Sequence, residues 1–168
     1  MRDLDSAPRP EAIERLKACC GAERWAIAMA DHRPFGDLDH LIEAAEAEWT
    51  ALAPADWREA IDHHPRLGGV DLTARRFDAT RSLSEGEQAG VLDAAEATRR
   101  TLADAQREYE DRFGFIFVIR ASGRSAAEIL SELERRMAND PEIELAVAAR
   151  ELTAIARLRL ERLFGAQE

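Results

Sequence analysis

SEGEQAGVLDAAEATRRTLADAQREYEDRFGFIFVI, residues 84–119, is the stretch whose reading decides the fold. From Ser84 to about Arg112 it is the longest uninterrupted helical pattern in the chain, rich in Ala, Glu and Arg and ended by Gly114. Phe113-Gly114-Phe115-Ile116-Phe117-Val118-Ile119 follows as the one strand-like stretch, since aromatic and β-branched residues suit an extended backbone. A lone short strand has no partner to pair with. It therefore reads as a buried extended segment, near residues 113–120, that threads a helical bundle. The predicted fold class is all-α.

Outward from this stretch the helical reading continues. Gly123 ends the extended piece, and Ser125 with Glu128 forms a capping box that opens the next helix. Asp140-Pro141 opens a last helix that runs to about Phe164. On the amino-terminal side, His64 to Leu83 has no sustained period, and Pro65, Gly68 and Gly69 argue for a turn. Before it, a short helix starts at Pro54 and ends at His63. Asp37 to Leu52 reads as an amphipathic helix with Leu38, Leu41, Ile42 and Trp49 inward. A loop through Pro34 and Gly36 separates it from a helix over Glu23 to Ala30, and the first helix runs from Pro10 to Cys20, stopping near Gly21. The total is about seven helices. No repeat or linker divides residues 1–168, so a single domain is expected.

The composition excludes several classes. Hydrophobic residues make up 46% and charged residues 33% of the 168, enough apolar surface to build a core rather than leave a disordered chain. The net charge of −10 repels nucleic acid and anionic membranes, so neither is expected as a partner. Cys19 and Cys20 are adjacent, which argues against a disulfide framework and for a reducing compartment. The opening MRDLDSAPRP has no apolar signal core, FGAQE carries no peroxisomal address and no run approaches a membrane span. A cytoplasmic location is the expectation.

Chemistry has three places to live. In His63-His64-Pro65-Arg66-Leu67-Gly68, the proline holds His64 out of the α-conformation at a helix exit, where a pocket could form. Two solvated loop histidines fit the same letters. A metal site fits less well, because adjacent histidines do not easily share an ion and His32 and His40 lack a helical pairing with them. In Ser84-Glu85-Gly86-Glu87-Gln88, Ser84 and Glu87 read as a capping box, which leaves Gln88 unexplained. A helix start also suits an anionic ligand, so both roles are compatible. In the last helix, Leu152, Ile155, Arg159 and Leu163 form an apolar stripe containing Arg159, whereas Arg157 lies roughly 200° away. An arginine in such a stripe has a carboxylate partner, an anionic ligand, or a head that snorkels to the edge.

In order and spacing, these segments resemble the OHCU decarboxylase family (2-oxo-4-hydroxy-4-carboxy-5-ureidoimidazoline decarboxylases). The resemblance rests on His64-Pro65-Arg66-Leu67-Gly68, Ser84-x-x-Glu87-Gln88 and Tyr109-x-x-x-Phe113-Gly114-Phe115-Ile116-Phe117. It continues through Gly123-Arg124-Ser125-x-x-Glu128-Ile129-Leu130, Arg136-x-x-Asn139 and Ile155-Ala156-Arg157-Leu158-Arg159-Leu160. Each motif is weak alone, but six in order over nearly the whole chain are specific. One departure is a stretch from Gly69 to Ser82 that is a few residues longer than in the family.

The resemblance implies an all-helical, commonly dimeric enzyme that needs no cofactor and no metal. It would convert OHCU to (S)-allantoin in urate breakdown. No transthyretin-like stretch is among these residues, so only the decarboxylase step is implied. By motif, the catalytic histidine corresponds to His64. The substrate-surrounding serine, glutamate and glutamine correspond to Ser84, Glu87 and Gln88, and the late-helix arginine corresponds to Arg159. Pro65 and the backbone of Phe115, Ile116, Phe117 and Val118 are implied as further substrate contacts. Two readings compete: a non-catalytic helical dimerisation module, and a decarboxylase of a related ureido or imidazoline acid.

Overall fold

The computed structural model describes residues 2–68, 87–92 and 94–165. Its helices are α1 (Arg2–Ser6), α2 (Arg9–Cys20), α3 (Glu23–Asp31), α4 (Leu38–Thr50) and α5 (Pro54–Asp62). They continue with α6 (Ala89–Leu92), α7 (Glu96–Phe113), α8 (Ala126–Arg136) and α9 (Pro141–Phe164). No β-strand occurs among the described residues. The chain is all-α, as the periodicity predicts, and no described helix is long and apolar enough to cross a membrane.

The backbone separates into two compact units. The first combines Met1–Ala60 with Leu152–Glu168, and the second spans Ile61–Glu151. In the first unit, local chemistry sets the helix ends. Gly21 closes α2 in the left-handed conformation (φ 90°) with its N–H on the Lys17 carbonyl. The Asp37 carboxylate accepts the His40 N–H and caps α4. The core holds Leu16, Trp25, Met29, Leu41 and Leu160, and the buried Trp25 indole N–H donates to the Ala45 carbonyl at 3.0 Å. Leu38, expected inward, is only half-buried. Helix α1 escapes sequence reading because five residues are too few to show a period. Its neighbourhood is fixed by the distant Arg33, whose guanidinium donates to the carbonyls of Leu4 and Ala7.

The second unit corrects the reading of residues 84–119. The helical pattern is interrupted between Leu92 and Glu96, where Arg99 donates to the Leu92 carbonyl. No Gly or Pro marks this break. Just before it, a Cβ on Gly90 would lie 2.3 Å from the Arg124 carbonyl, so α6 is seated directly against the chain leading into α8. Among the described residues the longest helix is α9, at 24 residues against 18 for α7. The extended segment begins at Phe115 rather than Phe113, because Phe113 completes α7 and Gly114 (φ 73°) terminates it with its N–H on Glu110.

Phe115, Phe117, Val118 and Ile119 are buried, as expected of a segment threading helices. With no ladder partner, the segment is held by side chains. The Tyr109 ring meets Phe117 edge-on at 5.1 Å and Phe115 at 5.9 Å. Arg136, fully buried, donates Nη1 to the Val118 carbonyl at 2.8 Å and lies 4.5 Å over the Phe117 ring. Glu144, also fully buried, receives Arg136 Nε at 2.8 Å and Nη2 at 2.5 Å. It also receives the Tyr109 hydroxyl and Asn139 Nδ2. Charges withdrawn from water persist only when their hydrogen bonds are filled in this way. The Ser125–Glu128 capping box forms as read, with both reciprocal bonds present.

Candidate active site

The His64–Gly68 loop leaves α5 with the His64 N–H turned back onto the Ile61 carbonyl at 2.9 Å. His64 is half-buried, His63 exposed and Pro65 buried. His64 is thus partly shielded from water while its neighbour is not. Three further contacts fasten the loop. Arg66 meets Glu110 with two parallel bonds, Nε to Oε1 at 2.8 Å and Nη2 to Oε2 at 2.7 Å. One turn earlier on α7, Gln106 Nε2 donates to the Leu67 carbonyl at 3.2 Å. The Gly68 N–H donates to Gln88 Oε1 at 2.7 Å. Gly68 adopts φ 62°, and a Cβ there would press on Val91 at 3.0 Å, so glycine fits with the least strain.

The Gln88 bond joins two of the motifs found in sequence: the histidine loop sits against the Glu87-Gln88 pair. Both Glu87 and Gln88 are buried, at 7% and 4% exposure. Because an N–H can only donate to the amide oxygen, the Gln88 orientation is fixed. Its NH2 group is what remains to meet a carbonyl or carboxylate oxygen. Ser84 and the stretch from Gly69 to Ser82 lie outside the described residues.

The extended segment supplies the remaining second-unit positions. Phe115, Phe117 and Val118 are buried and Ile116 is half-buried. The Val118 carbonyl, one of the expected backbone contacts, already accepts from Arg136.

Arg159 belongs to the first unit and is 2% exposed, as its place in the stripe predicts. Its Nη1 donates to the Ala18 carbonyl at 3.4 Å in the last turn of α2, where helix carbonyls favour a cation. The Cys20 thiol nearby is pushed up to about 12 by burial, an effect Arg159 partly offsets. Leu163 departs from the predicted stripe and is exposed. Near the helix end the buried face shifts to Leu160 and Phe164, with Arg15 stacked 5.5 Å over the Phe164 ring. Arg157 is on the wet side as expected, paired with Glu46 and Glu161.

Sequence reading missed Gln106, Glu110 and Glu144. The first had a usable signal: Leu102, Gln106, Tyr109 and Phe113 form the buried stripe of α7, with a polar residue inside it as Arg159 is inside that of α9. Among the described residues, no group of three or more His, Cys, Asp or Glu side chains could hold a metal ion.

A helical enzyme with a proline-braced histidine loop docked on a buried Glu-Gln pair is the class these features define. The chain belongs to the OHCU decarboxylase family, whose model matches residues 5–161. It is 39% identical over 167 residues to the 2-oxo-4-hydroxy-4-carboxy-5-ureidoimidazoline decarboxylase of Amia calva, covering 96% of this chain and 92% of that protein. It is 36% identical over 141 residues to the enzyme of the same name from Mus musculus, covering 84% and 79%. The uric acid degradation bifunctional protein TTL of Arabidopsis thaliana is 36% identical over 153 residues, 90% of this chain, but the chain spans only 47% of that longer protein. Among solved structures, an OHCU decarboxylase crystallised in the presence of (S)-allantoin superposes with a TM-score of 0.78 at 32% identity, covering 90% of this chain and 98% of that one.

Proposed function

We propose that this chain decarboxylates OHCU to (S)-allantoin in urate degradation, without a cofactor, as one functional domain over residues 1–168. The observation that carries the reading is the fastening of the His64 loop to Glu87-Gln88 through the Gly68–Gln88 bond, in a chain whose family match runs from residue 5 to 161.

OHCU carries a carboxylate and a hydroxyl on one ring carbon, beside a C=N bond. When the bond to the carboxylate breaks, its electron pair flows into the C=N and the nitrogen takes a proton. The substrate is therefore its own electron sink. The ring hydroxyl then gives up its proton and becomes a carbonyl, while a proton delivered to one face of the ureido-bearing ring carbon sets the S configuration.

His64 and Glu87 handle these protons around the hydroxyl and the ring nitrogen. Imidazole suits the task because its ordinary pKa, about 6.5, is close to working pH. Arg159 clamps the carboxylate or developing oxyanion through its rigid fork of donors. Gln88, whose NH2 is the available end, donates to a ureido or ring carbonyl, and Ser84 holds the neighbouring amide edge. Pro65 shapes the wall beside His64, and the backbone of Phe115 to Val118 supplies further contacts. The protein acts as a cytoplasmic homodimer with this small molecule as its substrate.

The test generates OHCU in situ from urate with urate oxidase and hydroxyisourate hydrolase, adds this protein and follows optical activity. A rapid (S)-allantoin signal is expected. Racemic allantoin appearing at the rate seen without protein would reject this substrate, leaving a related ureido acid or a non-catalytic module.

A further inference from the structure

We propose that Arg136 is a positioning residue for the reaction: it pins the Val118 carbonyl so that the adjoining extended backbone faces the substrate in one fixed register. This rests on the reading above, in which the 115–118 backbone contacts OHCU.

Three observations carry it. First, the extended segment has no sheet partner among the described residues, so its register is not set by a ladder. Second, Arg136 sets it instead: one nitrogen holds the Val118 carbonyl, and its planar head covers the Phe117 ring. Two residues further on, the Glu151 carboxylate accepts the Arg120 N–H at 2.8 Å, closing the other end of the segment. Third, Arg136 has no freedom of its own. Glu144 holds two of its nitrogens, and Tyr109 and Asn139 hold Glu144, so α7, the turn after α8, and α9 converge on one guanidinium.

An apolar pair of similar volume could fill the same space without desolvating two charges. What an apolar pair cannot supply is a directed bond to a backbone carbonyl. A lysine at this position keeps the charge for Glu144 but lacks the planar fork needed to reach Val118 and Glu144 together.

The test compares three variants under steady-state OHCU turnover. Arg136→Lys is expected to lower kcat/KM by about tenfold to a hundredfold, chiefly through KM, because contacts misplaced by an ångström cost on that scale. Amides 116–118 should also exchange faster with solvent. Tyr109→Phe removes a bond to Glu144 and the long 3.4 Å bond that Tyr109 accepts from Arg136 Nη2. It leaves the Nη1 link to Val118 and both Arg136–Glu144 bonds, so it should lower the melting temperature while KM stays near wild type. The double variant Arg136→Met/Glu144→Leu removes both charges and keeps a packed core, and it should fold and show the raised KM of Arg136→Lys. If wild type turns over OHCU while Arg136→Lys and the double variant keep its KM, positioning by Arg136 is wrong. Equal KM shifts in Arg136→Lys and Tyr109→Phe would also overturn it, reducing the cluster to general stability. If wild type does not turn over OHCU, the functional reading fails first and this proposal falls with it.

Discussion

The side-chain oxygen of Gln88 accepts the backbone N–H of Gly68 at 2.7 Å, locking an amide that the capping box leaves unexplained. The bond does two things at once. It satisfies a backbone donor in a loop that has no regular structure, and it turns the Gln88 NH2 away from the loop. A neutral bond of this kind contributes about 1 kcal/mol net, but leaving a buried donor unmet costs about 1–3 kcal/mol.

That division of labour can be separated by substitution. Gln88→Glu keeps an oxygen for Gly68 and removes the donor, so it should fold with nearly native stability while losing most turnover. Gln88→Leu removes both and should lose in addition about 1–3 kcal/mol of unfolding free energy. Urea denaturation alongside the optical assay measures both, and equal activity in Gln88→Glu and wild type would remove Gln88 from substrate recognition.

His64 is half-buried on a loop whose fastening runs through Arg66, Leu67 and Gly68. His64→Ala should therefore leave the melting temperature within a few degrees of wild type. Turnover should fall by about 10² to 10⁴, the usual contribution of positioned acid–base help. Near wild-type turnover in the purified variant would remove His64 from proton transfer.

Tyr109 is the sole tyrosine, so phenolate absorbance reports one group. Burial first, and its bond to Glu144 second, raise its pKa above the ordinary value of 10.0. The unfolded chain would ionise near 10 while the folded one stays neutral. The stability this provides is complete below that pH and is lost as pH rises above it. Phenolate absorbance should stay flat past pH 10 and appear together with loss of helical circular dichroism. Ionisation at 10 with the helices intact would mean that the ring is not enclosed.

Ser125→Ala deletes the oxygen that caps α8 and receives the Glu128 N–H. The expected cost is about 1 kcal/mol of stability, with OHCU turnover per folded molecule unchanged. A variant as stable as wild type would show that the cap contributes nothing net.

The sequence by itself determined the helical class, most helix ends, the buried character of the 115–119 segment and the place of Arg159 in the apolar stripe. These are local or periodic properties. A cap needs residues three apart, and a stripe repeats every turn, so each is written within one short stretch of chain. Gly21, Asp37, Gly114 and Ser125 all stop or start helices by chemistry contained in their immediate neighbours.

Only the tertiary structure decided the break before Glu96, the fastening of the histidine loop and the grip of Arg136 on Val118. Just before the break, Gly90 meets a carbonyl more than thirty residues away, at Arg124. Arg66 finds Glu110 across 44 residues, and Gln106 finds Leu67 across 39. Many exposed Arg-Glu pairings are nearly equal in energy in a chain this rich in both, and letters alone do not rank them. What selects Glu110 for Arg66, and Glu144 for Arg136, is the packing that brings one carboxylate within reach, and for the fully buried Arg136–Glu144 pair it also removes the water that would otherwise compete.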